Sequence, residues 1–183
     1  MNHPAEKIKM IISDVDGVWT DGSIYLNGNG DEFKKFSVLD GAGIAVARMA
    51  GLKVALISGR FSKATEARAL ELKIEDVYNG TLNKIIPYNA LKEKYNLEDD
   101  EIAFVGDGMI DIPVMEKVAA PIAVSNAYPL VKEIAVYVTE TAGGEGAFRE
   151  AVDWILKGQD RYESVLKKLR AHVESMDNLE SGQ

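Results

Sequence analysis

Two aspartates spaced i, i+2 close an apolar run in Met10-Ile11-Ile12-Ser13-Asp14-Val15-Asp16-Gly17-Val18. The stretch Ile8 to Ile12 reads as a short buried strand. Side chains two apart on a strand share a face, so Asp14 and Asp16 project together where the sheet ends. Gly17 lets the backbone turn away at once. Two carboxylates at such an edge repel each other and call for a cation or a shared proton. The pair alone equally suits a helix cap or a turn, so its meaning depends on what other strand ends bring beside it.

Three further sites answer. Lys53 to Ile57 is a buried strand ending in Ser58-Gly59-Arg60, and Glu101 to Val105 is another, ending in Gly106-Asp107-Gly108-Met109-Ile110-Asp111. Asn83-Lys84 opens a helix after the short strand Val77-Tyr78. Singly, Ser58 could cap a helix, Lys84 could be solvated, and Asp107 could be a turn acid. Together they fall on one edge of one sheet, and their chemistry is complementary. Magnesium takes hard oxygen ligands, keeps waters and bridges to phosphate, and Asp14 and Asp107 supply such ligands. Ser58 and backbone N–H groups at a helix start can hold phosphoryl oxygens. Lys84 adds positive charge where a transferring phosphoryl group gathers negative charge. A carboxylate nucleophile splits hydrolysis through an aspartyl-phosphate. Asp16 can protonate the leaving alkoxide and then activate water.

The elements that position these groups alternate between strand and helix. After Gly22, two β-prone runs around Asn27-Gly28-Asn29-Gly30 predict a hairpin over 22–37, standing beside the acid pair as a small flap. Asp40-Gly41-Ala42-Gly43 opens a helix over Ile44 to Ala50, and a further helix runs from Ser62 to Leu72. The helix after Asn83 extends to Tyr95, with Pro87 in its first turn, and Pro113 sits in the first turn of a helix through Met115. Pro121 to Val124 and Ala135 to Val138 read as strands, and Gly143-Gly144-Glu145-Gly146 as a flexible loop before a helix from Ala147 to Leu156. This pattern predicts an α/β fold with a doubly wound, Rossmann-like parallel sheet, whose ligands bind beyond the carboxyl ends of the strands. One domain over 1–158 is expected, followed by a helical tail over 159–183. In the tail Tyr162, Val165, Leu166, Leu169, Val173 and Met176 fall at helical spacing. Such a stripe either folds back on its own domain or, as preferred here, reaches a neighbouring subunit. Asn178 to Gln183 are expected to fray.

Composition narrows the classes. The 183 residues carry a formal net charge of −8, which disfavours non-specific binding to nucleic acid or an anionic membrane. No apolar run reaches membrane-spanning length, and the opening Met1-Asn2-His3-Pro4 does not read as a signal peptide. Cysteine is absent, which suits the cytoplasm and excludes a thiolate nucleophile. The two histidines, His3 and His172, lie near the ends, so acid–base work falls to carboxylates, Lys or Tyr.

With these residues in place the chain resembles the haloacid-dehalogenase superfamily of phosphatases. Asp14-Val15-Asp16-Gly17-Val18, Ser58, Lys84, and Gly106 to Asp111 look like its four motifs, in order. The likeness is closer still to the capless branch acting on 3-deoxy-D-manno-octulosonate 8-phosphate and nonulosonate 9-phosphates. It is carried by Gly17-Val18-Trp19-Thr20-Asp21-Gly22, Phe36 through Asp40-Gly41, Ile57-Ser58-Gly59-Arg60, Asn83-Lys84, Pro113-Val114-Met115 and Ala142 to Glu150. The resemblance implies no large cap domain, Asp14 as nucleophile and Asp16 as general acid/base. It implies magnesium held by Asp14, the Asp16 carbonyl and Asp107, with Asp111 as a supporting acid. Ser58 and Lys84 would hold the phosphoryl group, and Ser37, Asp40, Gly41 and Gly59 would join the substrate-binding set. It also implies a homotetramer with neighbours closing the site, so that Ile24–Phe36 and the loop and tail after Gly143 lie at subunit contacts.

For the substrate, Arg60 and Arg68 are eight apart, roughly two turns along one side of a helix. Guanidiniums bind carboxylates bidentately, which suits a sugar acid, although Arg68 could instead pair with Glu71 or Glu75. Arg at both places resembles the octulosonate phosphatases; against this, Ala45 stands where those commonly carry Arg, and Trp19 and Phe148 look more like the nonulosonate side. The expectation is magnesium-dependent hydrolysis of 3-deoxy-D-manno-octulosonate 8-phosphate, on the path to lipopolysaccharide sugar, with a nonulosonate 9-phosphate as the alternative. From other classes, a receiver-like phospho-acceptor places its acceptor Asp on a later strand, and a silent oligomerisation domain would not need the intact acid set.

Overall fold

The computed structural model describes residues 3–180, with side chains through residue 175. Its strands are β1 (Met10–Ser13), β2 (Tyr25–Leu26), β3 (Glu32–Phe33), β4 (Lys53–Ser58), β5 (Asp76–Asn79), β6 (Ile102–Gly106), β7 (Ala120–Ala123) and β8 (Tyr137–Val138). Its α-helices are α1 (Val38–Met49), α2 (Lys63–Glu71), α3 (Ile85–Tyr95), α4 (Ile112–Met115), α5 (Pro129–Ile134), α6 (Ala147–Gly158) and α7 (Tyr162–Glu180). Six strands form one sheet in the order β5-β4-β1-β6-β7-β8, and β2 pairs with β3 in a separate two-stranded hairpin. Every pairing in the large sheet is parallel.

Strands covered on both faces must be apolar throughout, and β1 and β6 are buried at every position. The chain winds outward from β1 through β4 to β5, then returns to the other side of β1 through β6, β7 and β8. The reversal therefore falls at β1, which opens a crevice at the carboxyl ends of β4, β1 and β6. Asp14 follows β1 there, Ser58 ends β4, and Asp107 follows β6.

Several boundaries differ from expectation for identifiable reasons. Helix α1 starts at Val38 rather than after Gly43, because Ser37 caps it and accepts from the Leu39 N–H at 3.2 Å. Gly43 does not break the helix; a Cβ there would come within 3.0 Å of Arg149 Cα, so it permits close packing of α1 on α6. Arg60 lies in the loop before α2 and not on a helix with Arg68. That loop is pinned by Asn79, which accepts from Ser62 N–H at 3.0 Å and donates to Ser62 O at 2.9 Å. The tail, expected to reach a neighbour, begins by folding back: Tyr162 and Leu169 pack against the core and Val165 is 2% exposed. Further along α7, Val173 is 51% exposed. Met176 has no described side chain; of the end expected to fray, Asn178 to Glu180 belong to α7 and 181–183 lie outside the described residues.

Candidate active site

β1 delivers the acid pair with its backbone fixed. The Asp14 N–H continues the ladder to Val105 O at 2.9 Å, and the chain then turns through Val15 to Trp19, whose N–H bonds Val15 O at 2.9 Å. The Gly17 N–H donates to Thr20 Oγ1 at 3.2 Å. Trp19 anchors the turn from beneath: its Nε1 donates to Ser13 Oγ at 3.0 Å and its ring packs on Phe148 at 4.6 Å between centroids. Both aromatics are buried core groups that pack the turn from within. The loop after β8 lies over the same turn. Gly144 N–H donates to Val18 O at 2.9 Å, and a Cβ on Gly143 would fall 1.7 Å from Gly17 O.

Lys84 is the cation at the centre. It is not the solvated helix residue that sequence alone allowed: its side chain is fully buried, 2.6 Å from Asp14 Oδ1 and 2.6 Å from Asp111 Oδ1. Burial works to lower its pKa, but the charges of Asp14 and Asp111 outweigh it and hold the ammonium above its ordinary value. Asp111 is spent on scaffolding, since its Oδ2 also accepts from the N–H groups of Asp107 and Gly108 at 3.0 Å each. Asp14 is pushed well above the usual carboxylate range, by burial first and then by the negative charge of Asp111, against the pull of Lys84. Asp107 is raised to about 6 by burial and by Asp111.

One oxygen of this cluster is orphaned. Asp107 Oδ1 is buried and has no hydrogen-bond partner, while carboxylate oxygens of Asp14, Asp107 and Asp111 lie within 4.8 Å of one another. A group of hard oxygen donors with an unpaired member fits magnesium. Beside it, Ser58 donates to Arg60 O at 2.9 Å and stands 3.4 Å from Asp16 Oδ2.

The structure thus brings together Asp14, Asp16, Ser58, Lys84, Asp107 and Asp111. Of the remaining candidates, Ser37, Asp40, Gly41 and Arg68 form a separate group where α1 meets α2 and α6, while Gly59 and Arg60 follow Ser58 at the end of β4. Arg68 donates to Glu71 Oε2 at 2.8 Å and to Ser37 O at 3.3 Å, and its guanidinium crowds Gly41. Asp40 is wholly buried and accepts from the Arg149 N–H at 3.1 Å. It receives the first N–H groups of α6, which makes it a cap for that helix and not a group exposed to a ligand. Gly59 sits next to Ser58 under the Ile110 side chain, and Arg60 pairs with Glu32 at 2.8 Å.

Lys34 escaped the sequence reading. Its ammonium, with the side chain 2% exposed, sits 2.5 Å from Asp16 Oδ1. Two lysines after a hairpin turn read as solvated. The available signal was period-2 alternation, which puts Glu32 and Lys34 on one face and Phe33 on the other. Phe33 is 58% exposed, so the inward face of this strand is its charged face.

Comparison with known proteins agrees with this geometry. A family model described as haloacid dehalogenase-like hydrolase matches residues 54–150. The 3-deoxy-D-manno-octulosonate 8-phosphate phosphatase KdsC of Escherichia coli K12 is 46% identical over 161 residues, 88% of this chain and 86% of that one. The chain belongs to the haloacid dehalogenase-like hydrolases. Among solved structures of such hydrolases, the Moraxella catarrhalis 3-deoxy-D-manno-octulosonate 8-phosphate phosphatase, in complex with magnesium, phosphate and KDO, superposes with a TM-score of 0.87 at 32% identity, covering 91% of this chain and 95% of that one. The cobalt-bound Haemophilus influenzae phosphatase gives 0.83 at 36% identity, covering 87% and 93%. The parallel sheet, the hairpin flap and, among the described residues, the lack of a large cap are features of the fold, and the chain is a phosphatase of this family.

Proposed function

We infer that this chain hydrolyses 3-deoxy-D-manno-octulosonate 8-phosphate to the free sugar acid and phosphate. The observation that carries this is the buried Asp14–Lys84–Asp111 set beside Asp107 and Asp16 at the switch point of the sheet, in a chain 46% identical to phosphatases of that name. In this reading an Asp14 oxygen bonds to phosphorus as the ester P–O bond breaks. The electron pair leaves on the sugar oxygen, which takes a proton from Asp16. Water then attacks the aspartyl-phosphate, gives its proton back to Asp16, and releases phosphate and Asp14. Lys84 and Ser58 hold the phosphoryl oxygens, and Asp14, the Asp16 carbonyl and Asp107 would hold magnesium. The bound ion supplies charge neutralisation for the phosphoryl group. Arg60, 45% exposed at the mouth of the site, is the guanidinium assigned to the sugar carboxylate. Arg68 lies apart from the acid cluster, where α1 meets α2, bonded to Glu71 and Ser37 O.

The reading includes a homotetramer whose neighbours cover the flap, supported by the outward exposure of Ile24, Leu26 and Phe33. It includes a cytoplasmic setting, because a multiply charged sugar phosphate does not cross a bilayer unaided. Among the described residues no helix is long and apolar enough to span a membrane.

The test is a turnover panel with magnesium: the octulosonate 8-phosphate, a nonulosonate 9-phosphate and glucose 6-phosphate, each with wild type and Asp14→Asn. The octulosonate ester should lead by about tenfold or more in kcat/KM, equivalent to ~1.4 kcal/mol, and Asp14→Asn should release no phosphate. Equal rates on all three esters would remove the assigned substrate. A long-lived phospho-Asp14 without phosphate release would make the chain an acceptor and not a hydrolase.

A further inference from the structure

We propose that Lys34, carried by the flap, is a positioning residue that holds the general acid/base Asp16 in its working orientation, so that the flap is part of the proton-transfer apparatus. The inference rests on the reading of Asp16 given above. A lysine on a surface hairpin ordinarily keeps its ammonium in water. Lys34 does the opposite: its side chain is 2% exposed, and its Nζ reaches Asp16 Oδ1 at 2.5 Å, Thr65 Oγ1 at 3.3 Å and Glu32 Oε1 at 3.5 Å. Burying an ammonium is costly unless it is paired and hydrogen-bonded, so the site is built around this contact.

The geometry assigns different jobs to the two oxygens of Asp16. Lys34 takes Oδ1, which fixes the plane of the carboxyl group. Oδ2 is left facing Ser58 Oγ at 3.4 Å, on the side of the phosphoryl pocket, free to exchange a proton with the leaving sugar oxygen. Without Lys34, Asp16 keeps, among the described residues, that one long contact, and its carboxyl can rotate. Proton donation from a carboxyl depends on heavy-atom separations of ~2.6–3.2 Å, so rotation would cost rate without altering the nucleophile. Thr65 is the third residue of α2 and Glu32 lies in β3, so the same ammonium also ties the flap to the body of the domain.

Protonation of the leaving group matters in proportion to how badly it leaves. A sugar alkoxide needs the proton; p-nitrophenolate does not. The experiment measures kcat and KM for Lys34→Met on 3-deoxy-D-manno-octulosonate 8-phosphate and on p-nitrophenyl phosphate, with magnesium saturating. Expected is a loss of kcat/KM, which reports the phosphorylation of Asp14 and not the water attack shared by both esters, of about 10²-fold on the sugar phosphate, at the lower end of what general acid catalysis supplies, and a loss at least tenfold smaller on the aryl phosphate. Lys34→Arg should recover part of the sugar-phosphate rate, and Asp16→Asn should show the same dependence on leaving group as Lys34→Met. Lys34→Gln, one atom shorter than lysine and uncharged, stands in if Lys34→Met does not fold. Equal losses on both esters, or none, would reduce Lys34 to a structural residue and overturn the proposal. Selectivity in Asp16→Asn without selectivity at Lys34 would overturn it while leaving the function intact. Wild type idle on both esters would overturn the functional reading and this proposal with it.

Discussion

At the scale of single residues, charge sits where water does not reach, and each group is tolerated for a different reason. Lys84 compensates two acids at 2.6 Å each, so removing it would strand a pair of buried carboxylates. Asp40 has no such cation in contact. Burial raises its pKa to about 6, and the N–H groups of Arg149, Phe148 and Gly146 at the start of α6 recover only part of that penalty. The sign of the pH effect follows. Between the ordinary value of 3.8 and about 6 the folded chain keeps the Asp40 proton while the unfolded chain loses it. The folded state therefore binds more protons, and stability falls as pH rises through that window. About two pKa units correspond to ~3 kcal/mol. Asn at this position does not titrate, so wild type should lose ~3 kcal/mol relative to Asp40→Asn between pH 4 and pH 7. Urea denaturation of both proteins across that range measures it, and a difference independent of pH would show that Asp40 is not held protonated in the fold.

At the scale of elements, the site is a contact between turns. The Gly143–Gly146 loop is fastened by Asn126, whose Oδ1 accepts from Gly143 N–H at 2.9 Å, and by Glu150, which accepts from Thr141 N–H at 2.9 Å. It presses on the turn that aims Asp14 and Asp16. A Cβ at Gly143 would meet backbone, 1.7 Å from Gly17 O, and backbone cannot rotate aside as a side chain tip can. Gly143→Ala should therefore cost ~1–3 kcal/mol of stability through overpacking and reduce kcat more than a stability loss alone would explain. Gly28→Ala, with nothing within 4 Å, is the matched control. Denaturation midpoints and turnover on p-nitrophenyl phosphate read both, and a fully active Gly143→Ala would dismiss the idea that this loop sets the acid pair. The strands and the acids at their ends were legible in the sequence because both follow from period: apolar runs mark buried strands, and polar residues at their ends mark the edge. Asp14, Asp107 and Lys84 were found that way. What sequence could not give were facts of long-range packing. The start of α1 was hidden because Asp40-Gly41-Ala42-Gly43 read as the opening of the helix, whereas the cap is Ser37 and Gly43 is a contact point for α6. The position of Arg60 off the helix depends on Asn79, distant in the chain. Lys34 was hidden because its alternation resembles any solvated hairpin, and only the sheet edge beneath makes its inward face the charged one.

At the scale of the whole molecule, the flap is the part that the single chain explains least well. Its strands are two residues each, and an isolated hairpin of that size is marginal in water. Lys34 ties it down from one side, yet apolar surface is exposed on both faces: Ile24 at 55% and Leu26 at 62% on the face of Glu32, and Phe33 at 58% on the opposite one. Val38 and Leu39 continue that apolar surface along the chain at 82% and 59%. Contiguous apolar surface of this kind marks an interface. If copies of the chain cover it, assembly and catalysis are linked through Lys34, because a flap without its cover would release the ammonium that holds Asp16. A double substitution Leu26→Asp and Phe33→Asp puts one charge on each face of the hairpin, at residues outside the acid and lysine set. It should shift the protein to smaller species in sedimentation velocity at micromolar concentration, and lower kcat/KM on the sugar phosphate more than on p-nitrophenyl phosphate, the same selectivity expected of Lys34→Met. The formal charge of −8 adds a second handle: like-charged copies repel, so lowering the salt should weaken assembly of the double variant further. A variant that keeps the wild-type mass would place the interface elsewhere. One that falls apart yet keeps full activity on the sugar phosphate would show that the flap holds its place unaided, with the Lys34 contacts sufficient to order it.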